Sequence, residues 1–105
     1  MAQQTKEKTT KQGRTILEFK KLTPFFEQCR AGDQPFDIRK WDGQDSRFNM
    51  IYFATPGKLA IKFVHPYTGE SFIRELTGWR YITDTDGCKV KPIWIMLFLG
   101  ELVTE

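Results

Sequence analysis

The chain has 105 residues, 40% of them apolar and 28% charged, and its nine Phe, three Trp and three Tyr supply ample ring surface for a core. That length suits a single domain, and the aromatic content excludes a chain disordered throughout. The net charge of +3 lies entirely in residues 1–14, where Lys6, Lys8, Lys11 and Arg14 face Glu7 alone, so the remaining body balances to zero and offers only local basic patches to a polyanion.

Residues 1–13 hold Gln, Thr and Lys with almost nothing to bury, and residues 1–14 are expected to form a disordered basic tail ahead of one domain spanning 15–105. Ile16, Phe19 and Leu22 among charged neighbours make 15–22 a first strand. Thr23 as cap and Pro24 at the first helical position open a short helix over 24–31, with Glu27 near its start and Gly32 as a left-handed stop. From Pro35 the period changes to two: Phe36 and Ile38 are expected to be buried, while Asp37, Arg39 and Trp41 share the opposite face. Asp42-Gly43 makes a turn. Residues 49–55 are a second aromatic-rich run, and Pro56-Gly57 a tight turn. Residues 58–64 alternate Leu59, Ile61 and Phe63 against Ala60, Lys62 and Val64; 65–69 read as a loop, 71–82 as a strand bulged near Gly78, 83–87 as a polar loop and 92–103 as a buried closing strand. One short helix with five or six strands, an α+β pattern, suggests a small β-barrel with the helix against one opening.

Several function classes lack their residues. Two cysteines, Cys29 and Cys88, are too few for a disulfide scaffold and have no metal-ligand spacing. No apolar leader is expected to direct export, and the longest apolar run, 93–99, is far shorter than the roughly 20 residues of a membrane helix, so a reducing, cytoplasmic setting is expected, with no membrane partner. Asp84-Thr85-Asp86-Gly87 begins like a calcium loop, but Lys89, Val90 and Lys91 follow without an acidic twelfth ligand, and turn chemistry accounts for it. His65 is the only histidine and has no nucleophile nearby in sequence. No phosphate loop or zinc motif is present, and no cofactor or metal is expected.

The segment QPFDIRKW, residues 34–41, carries the most chemistry. Asp37 and Arg39 offer acceptor and donor forks, and the Trp41 indole offers a stacking plane, a set suited to the edge and face of a base. The bland alternative is a solvated strand face with an Asp–Arg pair and a half-buried indole.

ILEFKKLTPFFEQCRAGDQPFDIRKWD resembles the start of ASCH domains, small PUA-like barrels, and looks closest to a branch carried by phages and mobile elements. Pro24, Phe26, Gly32, Phe36, Asp37, Ile38 and Arg39 occupy the motif positions, with Asp42 and Arg47 near the following turn; PYTGESFIRELTGWRYI and IWIMLFLGEL resemble the later loop and closing strand. Two positions depart from the pattern. Asn49-Met50 stands where the family has Gly-Asp, and Gln34 and Asp37 stand where ASCH amidohydrolases acting on acetylated cytidine have a Lys and a Thr. The resemblance implies a nucleotide or RNA cleft beside the QPFDIRKW strand. The expected function is a non-catalytic binder of RNA or of a nucleotide, a modified base included. Arg39 would hydrogen-bond a base edge or a phosphate, Trp41 would stack, Asp37 and Gln34 would complete a polar floor, and Arg47, Lys62 and Arg74 would contact phosphate. Two alternatives stand beside it: an amidohydrolase on a modified nucleoside using Asp37 with a displaced Lys, and an interaction factor acting on a host protein through its aromatic surface.

Overall fold

A computed structural model of the chain describes residues 9–11, 13–55, 57–86 and 89–104, and for 84–86 and 89–93 the backbone alone. It is an α+β fold in which five strands make one curled, mixed sheet: β1 (Thr15–Lys20), β2 (Phe36–Lys40), β3 (Leu59–Val64), β4 (Ser71–Asp86) and β5 (Lys89–Val103), in the order β1-β3-β4-β5-β2. β1 runs parallel to β3 and every other pairing is antiparallel. Helix α1 (Phe25–Ala31) connects β1 to β2, and α2 (Ser46–Phe53) connects β2 to β3.

The core lies inside the curl. Period two puts Leu17 and Phe19 of β1, Leu59, Ile61 and Phe63 of β3, and Ile95, Leu97 and Leu99 of β5 on the inner face, and Phe26, Cys29, Phe48 and Ile51 from the helices cover them. α1 ends as its sequence requires: Gly32 takes φ 86°, and its N–H donates to the Cys29 carbonyl. Its start differs from expectation. Pro24 itself is the capping position without a side-chain cap, because the Thr23 hydroxyl is engaged 3.0 Å from Nε2 of His65.

Several expectations are corrected. Residues 49–55, counted with the strands, belong mostly to a second helix: Asp45 caps it by accepting from the Arg47 backbone N–H at 3.0 Å, and Phe48 and Ile51, three apart, bury one side of it. β4 and β5 extend through much of the expected 83–87 loop into a long two-stranded ribbon, with Gly87 and Cys88 outside the described residues. Register shifts in β4 fall on either side of Leu76, up to Gly78, close to the expected bulge. The described residues before Thr15 also touch the sheet and its ends: Thr10 is buried, Lys11 N–H donates to the Thr104 carbonyl, and Arg14 pairs with Glu75 at 2.8 Å. The rest of the expected tail, residues 1–8 and Gln12, lies outside the described residues.

The largest correction concerns β2. Asp37 sits opposite Leu97 and Arg39 opposite Ile95, both buried positions of β5, so the polar residues face inward. Phe36 and Ile38 sit opposite Phe98 and Met96 on the outside, and Ile38 is 42% exposed. Ordinary alternation is inverted here because β2 and β1 are the two edges of the sheet and meet without a backbone ladder. Their seam is closed by side chains: Lys21 pairs with Asp37, and Arg39 Nη2 donates to the Lys20 carbonyl at 2.7 Å. From α2, Arg47 Nη1 donates to the Glu18 carbonyl at 2.6 Å. Glu18 and Lys20 are two apart, so their carbonyls leave the same side of the strand, the side β3 does not use. Polar groups inside this half-barrel therefore do the work a sixth strand pairing would do.

Candidate functional site

The seam opens into a recess of about 500 Å³ lined by Phe19, Arg39, Lys40, Trp41, Asp42, Asp45, Arg47 and Phe48. β1 supplies Phe19, the end of β2 supplies Arg39 to Trp41, and α2 with its cap supplies Asp45, Arg47 and Phe48. A second hollow of about 350 Å³, bordered by Glu18, Lys20, Arg39 and Arg47, shares both arginines.

Behind the recess stands a buried charge cluster. Asp37 is 0% exposed; one carboxylate oxygen accepts from Lys21 Nζ and the other from Arg39 Nε at 2.6 Å. Lys21 is itself covered, with its ammonium 5.4 Å from the Phe63 ring centre and 5.9 Å from that of Phe25. Two cations on one buried carboxylate leave a positive surplus, and Arg39 carries it to the recess. Its guanidinium lies 4.9 Å from the Phe19 ring centre, and its Nη1 makes no hydrogen bond among the described residues.

Arg47 covers the same Phe19 ring at 4.0 Å and grips Asp45 through Nε and Nη2, the latter at 2.6 Å. That fork holds the Asp45 carboxyl below its ordinary pKa and raises Arg47 above its own. Asp42 Oδ1 is occupied by the Gln44 N–H at 2.9 Å, so the turn acid is committed locally. The recess thus presents guanidinium donors over an aromatic floor, with its carboxylates already partnered.

The rings form a continuous series. Phe19 stacks on Phe48 at 5.9 Å, Phe48 lies 5.5 Å from Trp41, and Trp41 meets Tyr81 edge-on at 5.0 Å. Tyr81 then contacts Trp79 at 4.9 Å, and Tyr52 of α2 lies 5.6 Å from Trp79. Tyr52 and Phe53 are exposed at the end of that series. Burial, with Tyr52 beside it, raises the Tyr81 hydroxyl pKa.

Of the residues singled out from sequence, Arg39, Trp41 and Arg47 share the recess, and Asp37 backs it from within. Three lie elsewhere. Gln34 donates from Nε2 to the Phe36 carbonyl at 3.1 Å and borders neither hollow. Lys62 alternates with inward-facing Ile61 and Phe63 and sits beside Glu18 on the outer face. Arg74 donates to the Cys29, Arg30 and Gly100 carbonyls at 2.8, 3.0 and 2.7 Å, tying the end of α1 to β5. His65 accepts at Nδ1 from the Tyr67 and Thr68 N–H groups, which leaves Nε2 as the protonated nitrogen facing Thr23; it shapes a loop. Sequence reasoning missed Lys21, although Leu17, Phe19 and Lys21 continue one period-two series into the interior.

Among the described residues no cluster of His, Cys, Asp or Glu is placed to hold a metal ion, and no helix is long and apolar enough to cross a membrane. No family model, no curated protein and no solved structure matches this chain, so its cleft is interpreted on its own geometry.

Proposed function

We propose that this chain is a non-catalytic, PUA-like barrel of the ASCH kind that binds RNA or a nucleotide in a cytoplasmic setting. The observation that carries the reading is the convergence of Arg39, Lys40, Arg47 and Trp41 on one recess of about 500 Å³ floored by Phe19 and Phe48. Guanidinium N–H groups match phosphate oxygens and the acceptor edge of a base, and an indole takes a base face. A single such stack contributes roughly 1–3 kcal/mol, so one nucleotide is held weakly and a strand more tightly.

Amide hydrolysis on a modified nucleoside is the second reading, and one observation favours it: Lys21 does meet Asp37, the acid that chemistry would use. The pair is badly placed for it. A general base must reach its substrate, whereas both oxygens of Asp37 are engaged and the residue is sealed behind Arg39. Binding therefore ranks first. A host-protein partner is the third reading, supported by exposed Leu22, Phe25 and Tyr67.

Titration with nucleoside monophosphates and short RNAs, followed by tryptophan fluorescence, tests the first reading. Saturable binding that weakens at least about fivefold in Trp41→Ala and in Arg39→Lys, both checked by circular dichroism, is expected. Unchanged binding in both folded variants refutes the cleft. Turnover of acetylated cytidine that Asp37→Asn abolishes would promote the second reading, and one protein retained from a nuclease-treated lysate would promote the third.

A further inference from the structure

β5 is apolar on both of its faces. Ile95, Leu97 and Leu99 point into the core, and Trp94, Met96 and Phe98 alternate with them onto the outside of the sheet. The neighbouring strands extend that outer face: Phe36 and Ile38 of β2 lie opposite Phe98 and Met96, and Ile82 of β4 lies opposite Trp94. A strand with one wet face alternates apolar with polar, whereas a strand apolar throughout belongs to a sheet covered on both sides. Among the described residues the helices pack on the inner side, and Ile38 and Trp94 are each 42% exposed on the outer one. Two exposed cations complete the patch. Lys40 lies opposite Trp94 from β2 and Arg80 opposite Met96 from β4, so they stand on opposite sides of β5. Gly78 closes the patch beside Phe98, and none of these positions holds an acid. Among the described residues neither cation has an ion-pair partner.

We propose that this outer face docks an amphipathic helix of another protein, one whose apolar stripe is flanked on both sides by Asp or Glu. Dimensions agree. Three strands spaced about 4.8 Å apart span about 10 Å, the width of a helix with its side chains, and five residues of strand run about 13 Å, enough for two helical turns. An apolar stripe lies along Trp94, Met96 and Phe98, and the acids beside it reach Lys40 on one flank and Arg80 on the other. Charge and composition disfavour the other occupants. A second copy packed face to face brings two more cations and no acid from this patch. Residues 1–8 contain only Met1 and Ala2 as apolar residues and are themselves basic. A nucleic-acid strand answers the cations but gains little from Ile38, Met96 and Ile82. The inference is independent of the RNA-binding reading, and Arg80 and Met96 border neither the recess nor the hollow beside it.

Isothermal titration with two synthetic helical peptides of about 16 residues tests the inference. Both carry Leu along one face; one has Glu and the other Lys at the flanking positions. The parent is expected to bind the Glu peptide saturably and at least about tenfold more tightly than the Lys peptide. Arg80→Glu, at an exposed position, should cut that preference to about twofold or less. Met96→Lys should abolish binding of the Glu peptide, and Ile38→Lys makes the same test from a more exposed position, each fold being checked by circular dichroism. Absence of saturation by the Glu peptide up to about 1 mM overturns the proposal, as does equal binding of the two peptides or a preference unchanged in Arg80→Glu. A concentration-dependent dimer in light scattering that Met96→Lys dissolves overturns it in favour of a second copy. Binding of tetrauridylic acid that is lost in Trp94→Ala and kept in Trp41→Ala overturns it in favour of RNA.

Discussion

Replacing Asp37 by Asn tests whether the seam between β1 and β2 depends on a buried charge cluster. The substitution keeps the shape and one acceptor for Arg39 Nε, but it turns an NH2 group toward Lys21 Nζ, setting donor against donor. The Lys21 side chain is 10% exposed, so its ammonium would be left uncompensated away from water. Removing one partner of a buried pair costs about 3–5 kcal/mol, a large share of the roughly 5–15 kcal/mol that holds a domain together. With a urea slope near 2 kcal/mol/M, the midpoint should fall by about 2 M, read by tryptophan fluorescence and circular dichroism. The double variant Lys21→Met/Asp37→Leu should recover most of that loss, because apolar side chains of similar volume replace a buried pair at little cost or with a gain. Arg39 keeps its bond to the Lys20 carbonyl and is partly solvated, so it tolerates the exchange. A midpoint shift under about 0.5 M in Asp37→Asn, or a double variant no more stable than the single, would refute the account of the seam.

Two further outcomes follow from groups near the site. Asp45 has its folded pKa depressed by Arg47, so the pair's contribution is present above the ordinary carboxylate range and is lost as pH falls through the lowered value. Asp45→Asn, which still caps α2, should therefore be about 0.5–1 kcal/mol less stable than the parent at pH 7 and indistinguishable at the acid end, as denaturant melts across pH would show; a gap that widens toward low pH contradicts the pairing. Burial pushes the Cys29 thiol pKa up, and its Sγ donates to the Phe36 carbonyl at 3.7 Å. In a Cys88→Ser background, Cys29 should resist an aromatic disulfide reagent at pH 8 until denaturant is added, and labelling at the rate of a free thiol would contradict its burial.

Local signals accounted for much of the architecture. Gly32, the Leu59–Ile61–Phe63 alternation and the bulge near Gly78 are each visible as residue type at the right spacing, and each forms as expected. α2 was hidden because its ring-rich stretch resembles a strand, while its start depends on Asp45, a cap whose partner lies two residues on. The faces of β2 were hidden for a different reason. Alternation says which residues share a side, and Asp37 and Arg39 do share one, but whether that side faces water is set by a closure between strands far apart in the chain. For the same reason Lys21 passed as an ordinary strand-end lysine. Arg74 and Gln34 hold residue types suited to a ligand, yet their bonds to main-chain carbonyls come from tertiary proximity that spacing does not encode.

The two guanidinium groups resting on the Glu18 and Lys20 carbonyls also blunt the open margin of β1. An open strand margin is a template onto which another chain's strand can add. Here two acceptors on that margin, the Glu18 and Lys20 carbonyls, are already taken by side chains long enough to reach them. The arginines that face the recess are thus also the guards of the sheet's rim, and smaller neutral residues in their place would bare two strand carbonyls to an incoming strand at the same time as they changed what the recess holds.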